Sequence, residues 1–328
     1  MDIVIDETLN GVTVKEYLFS HLNYSAGIVK KLKFRENGIC VNGAHATVRY
    51  TLKTGDVLTL NTEDSEEDTC PYMIPVDLPL KIAFEDDWVT VVDKPPMMPA
   101  HPSFSHRLDT VANALAFRYS DAPFVFRPVN RLDRDTSGLM LTSRTRLSAS
   151  RLYEAMIGGK ISKLYIALLS NTPEKKSGII KTYMRREEGS IIRRCVCNED
   201  DEKAKIAVTA YKVLYSNDRV CAVAAAPITG RTHQLRIHFS HIGCPLLGDT
   251  MYGGDEELMT RHGLHSAYLS FPHPETTEEC RVFSPLPDDM RAPLGEEGSR
   301  MVDEAFKAEL SSEDSEIRAM CREYSKAL

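Results

Sequence analysis

The sequence predicts an α+β protein: a small N-terminal helix–helix–strand module, then a larger domain around a mixed, largely antiparallel sheet. Three observations carry this. Val14, Tyr17, Leu18 and Leu22 are spaced for one helical face near the start of the chain. From residue 80 to about 287, short β-rich apolar runs alternate with only a few helical stretches. The 328 residues, 42% hydrophobic and 27% charged, suffice for two globular domains.

In the first module the helix over 12–22 is followed by Ser25, a plausible N-cap for a second helix running through Ile28 to Lys33. Residues 38–43 read as a strand entering an Asn42-Gly43 turn, and 55–60 as a turn leading into a strand. This module spans residues 1–62. Residues 63–79 read as an acidic, proline-containing linker with Pro71, Pro75 and Pro79. Strands follow at 80–84 and 88–92, and helices at 110–119 and 147–157. The larger domain spans 80–292, and 293–328 forms a helical, acidic, peripheral tail.

The formal charge of −7 is unevenly spread. The run from Glu63 to Asp68 carries −5 and the tail from Glu296 carries −4, which leaves +2 on the rest, so a polyanionic partner is not excluded. The N-terminus is acidic and short of apolar length, unlike a signal peptide. Nowhere do about 18 apolar residues run together, which argues against a membrane span. The eight cysteines are scattered, and the close pair Cys195/Cys197 lacks a second half-site for zinc, so reduced cytoplasmic thiols are expected.

Two segments carry the chemistry. In the stretch from Asn130 to Leu141, a charged, turn-forming sequence with Thr136, Ser137 and Gly138 runs into an apolar strand, a way to hold Asp133 rigidly at a sheet edge. The second stretch, Pro227 to His238, packs Arg231, His233, Gln234, Arg236 and His238 together. Its alternation of Leu235, Ile237 and Phe239 reads as a strand or buried edge. So dense a polar cluster needs a carboxylate partner such as Asp133.

With these two stretches, the order Asp93-Lys94-Pro95-Pro96, His101-Pro102, Lys163-Leu164-Tyr165, Gly243 to Asp249, Tyr252-Gly253, His265 and Phe283 to Pro287 resembles the RluA family of RNA pseudouridine synthases over roughly 210 residues. The first module resembles the S4 RNA-binding domain, which implies that Lys30, Lys31, Lys33 and Arg35 contact RNA phosphates. The family resemblance implies isomerisation of uridine to pseudouridine in ribosomal or transfer RNA, by a monomer needing no metal or organic cofactor. It assigns Asp133 as the nucleophile, Arg231 as its ion-pair partner and Tyr165 as the residue stacking on the flipped base. Arg131 fills the gap that the base leaves, and Thr136, His233, Gln234 and Arg236 support the site. Side-chain carboxylates are ordinarily ionised at neutral pH, so such a nucleophile needs positioning more than activation. Asn130 departs from the histidine common in the family, and Leu235 replaces isoleucine.

One string competes. His106-Arg107-Leu108-Asp109 spells the family motif more literally, but Asp109 precedes a helix start and lacks the Thr-Ser-Gly turn, so it reads as a helix cap. Two other functions are weighed: an RNA-binding protein without catalysis, and a metal-assisted hydrolase built on His233, His238 and His241. The histidine spacings of five and three fit neither one strand face nor one helical stripe.

Overall fold

The computed structural model describes residues 2–22, 24–65, 68–312 and 315–325. Thr13 opens α1 (Val14–Glu16) with a reciprocal capping box to Glu16, and a π-helical turn (Tyr17–His21) continues it. Ser25 accepts a 3.5 Å bond from the Ile28 amide and caps α2 (Ala26–Phe34). Four antiparallel strands, β1 (Asp2–Val4), β2 (Ile39–Val41), β3 (Ala44–His45) and β4 (Val57–Leu60), order as β1-β4-β2-β3. Asn42 and Gly43 both take positive φ, 51° and 80°, as the tight β2–β3 hairpin requires. The short β1 was not foreseen; three residues of Asp-Ile-Val carry too little pattern.

The second sheet has eleven strands. In chain order they are β5 (Lys81–Glu85), β6 (Val89–Lys94), β7 (Arg127–Pro128), β8 (Ser137–Ser143), β9 (Ser162–Leu169), β10 (Ser177–Arg186), β11 (Arg194–Cys197), β12 (Lys205–Ser216), β13 (Cys221–Pro227), β14 (Leu264–Pro272) and β15 (Glu279–Phe283). Their order is β11-β10-β12-β13-β9-β14-β8-β6-β5, with β7 against β8 and β15 against β14. Every pairing is antiparallel except β8 with β14, so the mixed, largely antiparallel sheet is as expected. One register row matters: Lys94 lies opposite Gly138, Gly138 opposite Ser266, Ser266 opposite Tyr165, and Tyr165 opposite Ala225.

Helices α3 (Val111–Arg118) and α4 (Arg146–Ile157) match the expected positions. The cap of α3, however, is Thr110, which accepts from the Asn113 amide at 3.3 Å, while Asp109 bonds His106 at 2.6 Å. Threonine at the next position displaces aspartate because its hydroxyl both donates to the Asn113 side chain and accepts from the Asn113 backbone.

The segment read as a strand at 234–239 is α5 (Gln234–His241). Leu235 and Phe239 join the core on one side of the helix, while Ile237 packs on Met184 and Ala207 on another. A helix buried on two sides places apolar residues at alternate positions and imitates a strand.

The chain ends in α6 (Asp288–Arg291), α7 (Gly295–Ser311) and α8 (Glu316–Ser325). This tail is helical but not peripheral. Val302, Phe306 and Ile317 are buried and close the core on the face of the sheet built from Leu164, Ile166 and Leu168. Residues 70–79 of the segment read as a linker are mostly exposed, but its acidic end is held in place. The N-terminal core continues into Leu147 of α4 and Trp88, and Asp64 and Asp68 sit buried among cations. Glu66 and Glu67 of the acidic run lie outside the described residues.

Candidate active site

The loop between β7 and β8 is fixed before any side-chain chemistry begins. Leu132 is buried in the main core and anchors it from below. The Asn130 carboxamide accepts from the Leu141 amide at 2.7 Å and donates to the Leu139 carbonyl at 3.5 Å, tying the loop's start to β8. The Thr136 amide donates to the Asp133 carbonyl at 3.1 Å and closes the turn. Lys94, 1% exposed, donates to the carbonyls of Pro95, Met98 and Arg134 at 2.8, 2.9 and 2.8 Å. Burial pulls its ammonium down to about 7. Arg261 donates to the Asp135 carbonyl at 3.0 Å and forks onto Asp289.

Gly138 is obligatory where the loop enters β8. Its φ is +104°, and a Cβ would stand 2.3 Å from the Ser266 carbonyl oxygen. The parallel pairing of β8 with β14 depends on that close approach.

On this frame the Asp133 carboxylate is half-buried, and two groups from α5 face it. Arg236 Nη1 lies 3.4 Å away and His233 Nε2 3.8 Å away. Arg236 is itself held by Asp249, whose carboxylate accepts from Nε and Nη2 at 2.7 Å each, and its guanidinium lies 5.0 Å from the centre of the Tyr252 ring. His233 takes positive φ (58°) as it opens α5, and its Nδ1 meets the Tyr252 hydroxyl at 2.8 Å. Burial lowers the pKa of His233, with the charge of Asp133 opposing.

The expected partner, Arg231, does not reach Asp133. Its Nε donates to the Ile206 carbonyl at 3.0 Å, so the pairing assigned to it belongs in this structure to Arg236. The reason lies in α5: once 234–241 is a helix, Arg236 is carried on its inward face while Arg231 stays in the turn before it. Gln234 organises that turn. Its amide oxygen accepts from the Thr229 hydroxyl (2.7 Å) and the Arg231 amide (3.0 Å), and its amide nitrogen donates to Val208 and Thr209.

Tyr165 forms the floor. It is 6% exposed on β9 within the main core, and burial pushes its hydroxyl up to about 12, with the Asp133 charge adding to the rise. Thr136 donates or accepts at 2.7 Å with His262 Nε2, and burial drops His262 to about 2. Arg131 is exposed at the loop's mouth, near enough to His101 to lower its pKa together with burial. His238 is fully buried with its ring nitrogens on Thr209 and Thr182, at 2.9 and 3.1 Å, so it does not converge with His233 and His241 on a metal. Among the described residues no three His, Cys, Asp or Glu side chains gather as metal ligands.

A carboxylate fixed through its backbone, faced by a guanidinium and floored by a neutral tyrosine, suits nucleophilic attack beside a planar ring. The family profile described as RNA pseudouridylate synthase matches residues 88–241, which hold both the loop and α5. An uncharacterised RNA pseudouridine synthase of Bacillus subtilis, YjbO, is 38% identical over 281 residues, covering 85% of this chain and 97% of its own. The chain belongs to the RNA pseudouridine synthase family.

This synthase is also similar to ribosomal large subunit pseudouridine synthase D of Vibrio cholerae, at 35% identity over 78% of this chain and 82% of that one. Among solved structures, human RNA pseudouridylate synthase domain containing 1 matches with a TM-score of 0.54 and 28% identity, over 66% of this chain and 87% of that chain. No helix among the described residues is long and apolar enough to cross a membrane.

The three lysines of α2 and Arg35 just after it divide into two pairs. Lys30 and Lys33 are exposed, with Lys33 5.8 Å from the centre of the exposed Phe34 ring. Lys31 is paired with Asp68, and Arg35 donates to the carbonyls of Asn61 and Glu63. Sequence reading missed Lys94, Asp249, Tyr252 and His262 as site-builders. All four lie in or beside motifs that resemble the family's, but a lone Lys-Pro or Gly-Asp gives no local signal of what it will touch.

Proposed function

We propose that this synthase isomerises specific uridines of a structured ribosomal or transfer RNA, with Asp133 attacking a nucleoside extruded from its helix. The observation that carries this is the half-buried Asp133 carboxylate, 3.4 Å from Arg236 on a loop whose backbone is tied down by Lys94 and Arg261. Base extrusion costs a few kcal/mol, and Arg131, exposed at the mouth, is suited to fill the vacated stack. The Asp133 carboxylate takes C1′ as the N1–C1′ bond breaks, the base turns, C5 displaces the carboxylate from C1′, and the C5 proton is lost while N1 gains one. Tyr165, neutral at physiological pH and pushed further from ionisation by burial, stacks on the turning base rather than acting as a phenolate.

In this reading residues 1–62 form an S4-like module whose Lys30 and Lys33 meet phosphates, 63–79 connect it, 80–292 carry catalysis, and the tail beyond 293 completes the core through Val302, Phe306 and Ile317. The enzyme acts as a cytoplasmic monomer without a cofactor. Tritium release from C5-labelled uridine in RNA is the test. Wild type releases tritium, Asp133→Asn does not yet still binds RNA, and Asp109→Asn remains active. Turnover by Asp133→Asn would overturn the assignment.

A further inference from the structure

At the junction of the N-terminal unit and the large sheet, cations from three elements converge. Arg127 comes from β7, Arg146 from the start of α4 and Lys31 from α2. What they hold is the chain's own acidic segment. Arg127 forks onto Asp64, with Nη1 and Nη2 at 2.7 and 2.6 Å from its two oxygens. Arg146 Nη2 reaches Asp64 at 2.9 Å and Asp68 at 3.1 Å, and Lys31 pairs with Asp68. The carboxylate side chains are only 9% and 6% exposed. Asp68 also accepts from the amide and hydroxyl of Ser65 at 3.1 and 3.2 Å, and Asp64, Ser65 and Asp68 together act as the plug of the cradle. Two carboxylates in a three-cation cradle, one of them gripped bidentately, reproduce the charge and fork geometry with which arginine takes a phosphate.

We propose that this cradle is a second RNA-backbone site, and that Asp64 and Asp68 occupy it as an intrachain phosphate mimic that RNA displaces. The inference rests on the reading that the substrate is RNA. Arg127 lies opposite Ser143, at the far end of β8 from the Asp133 loop. At about 3.3 Å per residue the six steps from Ser137 to Ser143 span roughly 20 Å, a separation that an RNA stem seated at Asp133 can bridge. A tethered competitor is present at high effective concentration, so the plug filters out weak polyanions and yields only to an RNA that is also anchored elsewhere. Asp68 pairs with Lys31, whereas Lys30 and Lys33 stay exposed for first contact.

The test is binding of a fluorescein-labelled, uridine-containing RNA stem–loop to the full chain across a salt series, for wild type and for Asp64→Asn/Asp68→Asn. Displacement predicts binding tighter by about tenfold at low salt with a nearly unchanged salt slope, because the same phosphates are neutralised in both complexes once the carboxylates have left; a slope steeper by about 2 to 3 units would mean that RNA never displaces them in wild type and would overturn the proposal. Unchanged or weaker binding makes the cluster a structural clasp and overturns the proposal. Should the double variant fail to fold, Arg146→Gln decides: weaker binding with a shallower slope supports the RNA site, and unchanged binding refutes it. Tritium release measured in the same samples keeps the two readings apart, since an enzyme inactive on every RNA leaves the binding comparison interpretable.

Discussion

Arg236 stands between two carboxylates, forked onto Asp249 at 2.7 Å and reaching Asp133 at 3.4 Å with its remaining nitrogen. The short fork fixes the plane of the guanidinium, and the longer contact is what that plane presents to the loop. Lysine cannot copy this, because a point charge has no fork. Arg236→Lys is expected to lower kcat/KM at least about 10-fold, equivalent to about 1.4 kcal/mol. The loss should fall mainly on kcat, with Arg231→Lys losing less. Steady-state tritium release separates them, and a larger loss at Arg231 would return the pairing to that residue.

Asp249 is 2% exposed, so removing its charge strands a buried guanidinium. Asp249→Asn should destabilise the fold by about 3–5 kcal/mol, the range for breaking one side of a buried pair. Urea unfolding followed by circular dichroism measures it, and a loss within experimental scatter would mean that Asp133 and solvent suffice for Arg236.

Gly138→Ala combines a left-handed backbone with a Cβ 2.3 Å from the Ser266 carbonyl oxygen. The cost is on the order of 2–5 kcal/mol. Gly230→Ala meets nothing within 4 Å and has no positive φ, so its stability should be close to wild type. Equal midpoints for the two variants in the same urea assay would contradict the close approach of β14.

Three buried histidines set an acid limit. Burial lowers His238 and His265 to about 4 and His262 to about 2. Between those values and the unfolded value near 6.5, the unfolded chain binds protons that the native state refuses. Stability is therefore fully present above about pH 6.5 and falls as pH drops below it, by up to about 1.4 kcal/mol per pH unit for each histidine. Urea midpoints at about pH 7.5 and about pH 5.5 test this, and His265→Asn should flatten the slope. A slope unchanged in that variant would remove His265 from the set.

What the sequence disclosed follows from where the information is local. Turn chemistry around Thr136-Ser137-Gly138 identified the Asp133 loop against the more literal string at Asp109, since positive φ and capping are properties of a few adjacent residues. The sense of α5 was hidden because Leu235, Ile237 and Phe239 are buried on more than one side, which erases the helical stripe. The resemblance assigns the pairing to Arg231, and with the segment's helical sense hidden nothing local shows that Arg236 is the arginine carried toward Asp133. Asp249 and Lys94 act through partners 13 and 40 residues away, a relation that only the folded chain expresses. The acidic segment at Asp64 and Asp68 was misread for the same reason, because composition alone cannot distinguish a solvated run from one matched by distant arginines.

The register row from Lys94 through Gly138, Ser266 and Tyr165 to Ala225 also bears on how the enzyme comes into being. Neighbours in that row are separated along the chain by up to 128 residues, and one junction is the parallel pairing of β8 with β14. Non-local pairings are among the slowest to form, because loop closure comes before any contact rewards it. Catalytic competence on a refolding time course therefore emerges with the closing of the whole sheet, after most helical signal has returned. A chain released before β14 is made holds the nucleophile without the strand that seats it, so RNA modification begins only when synthesis has passed that strand.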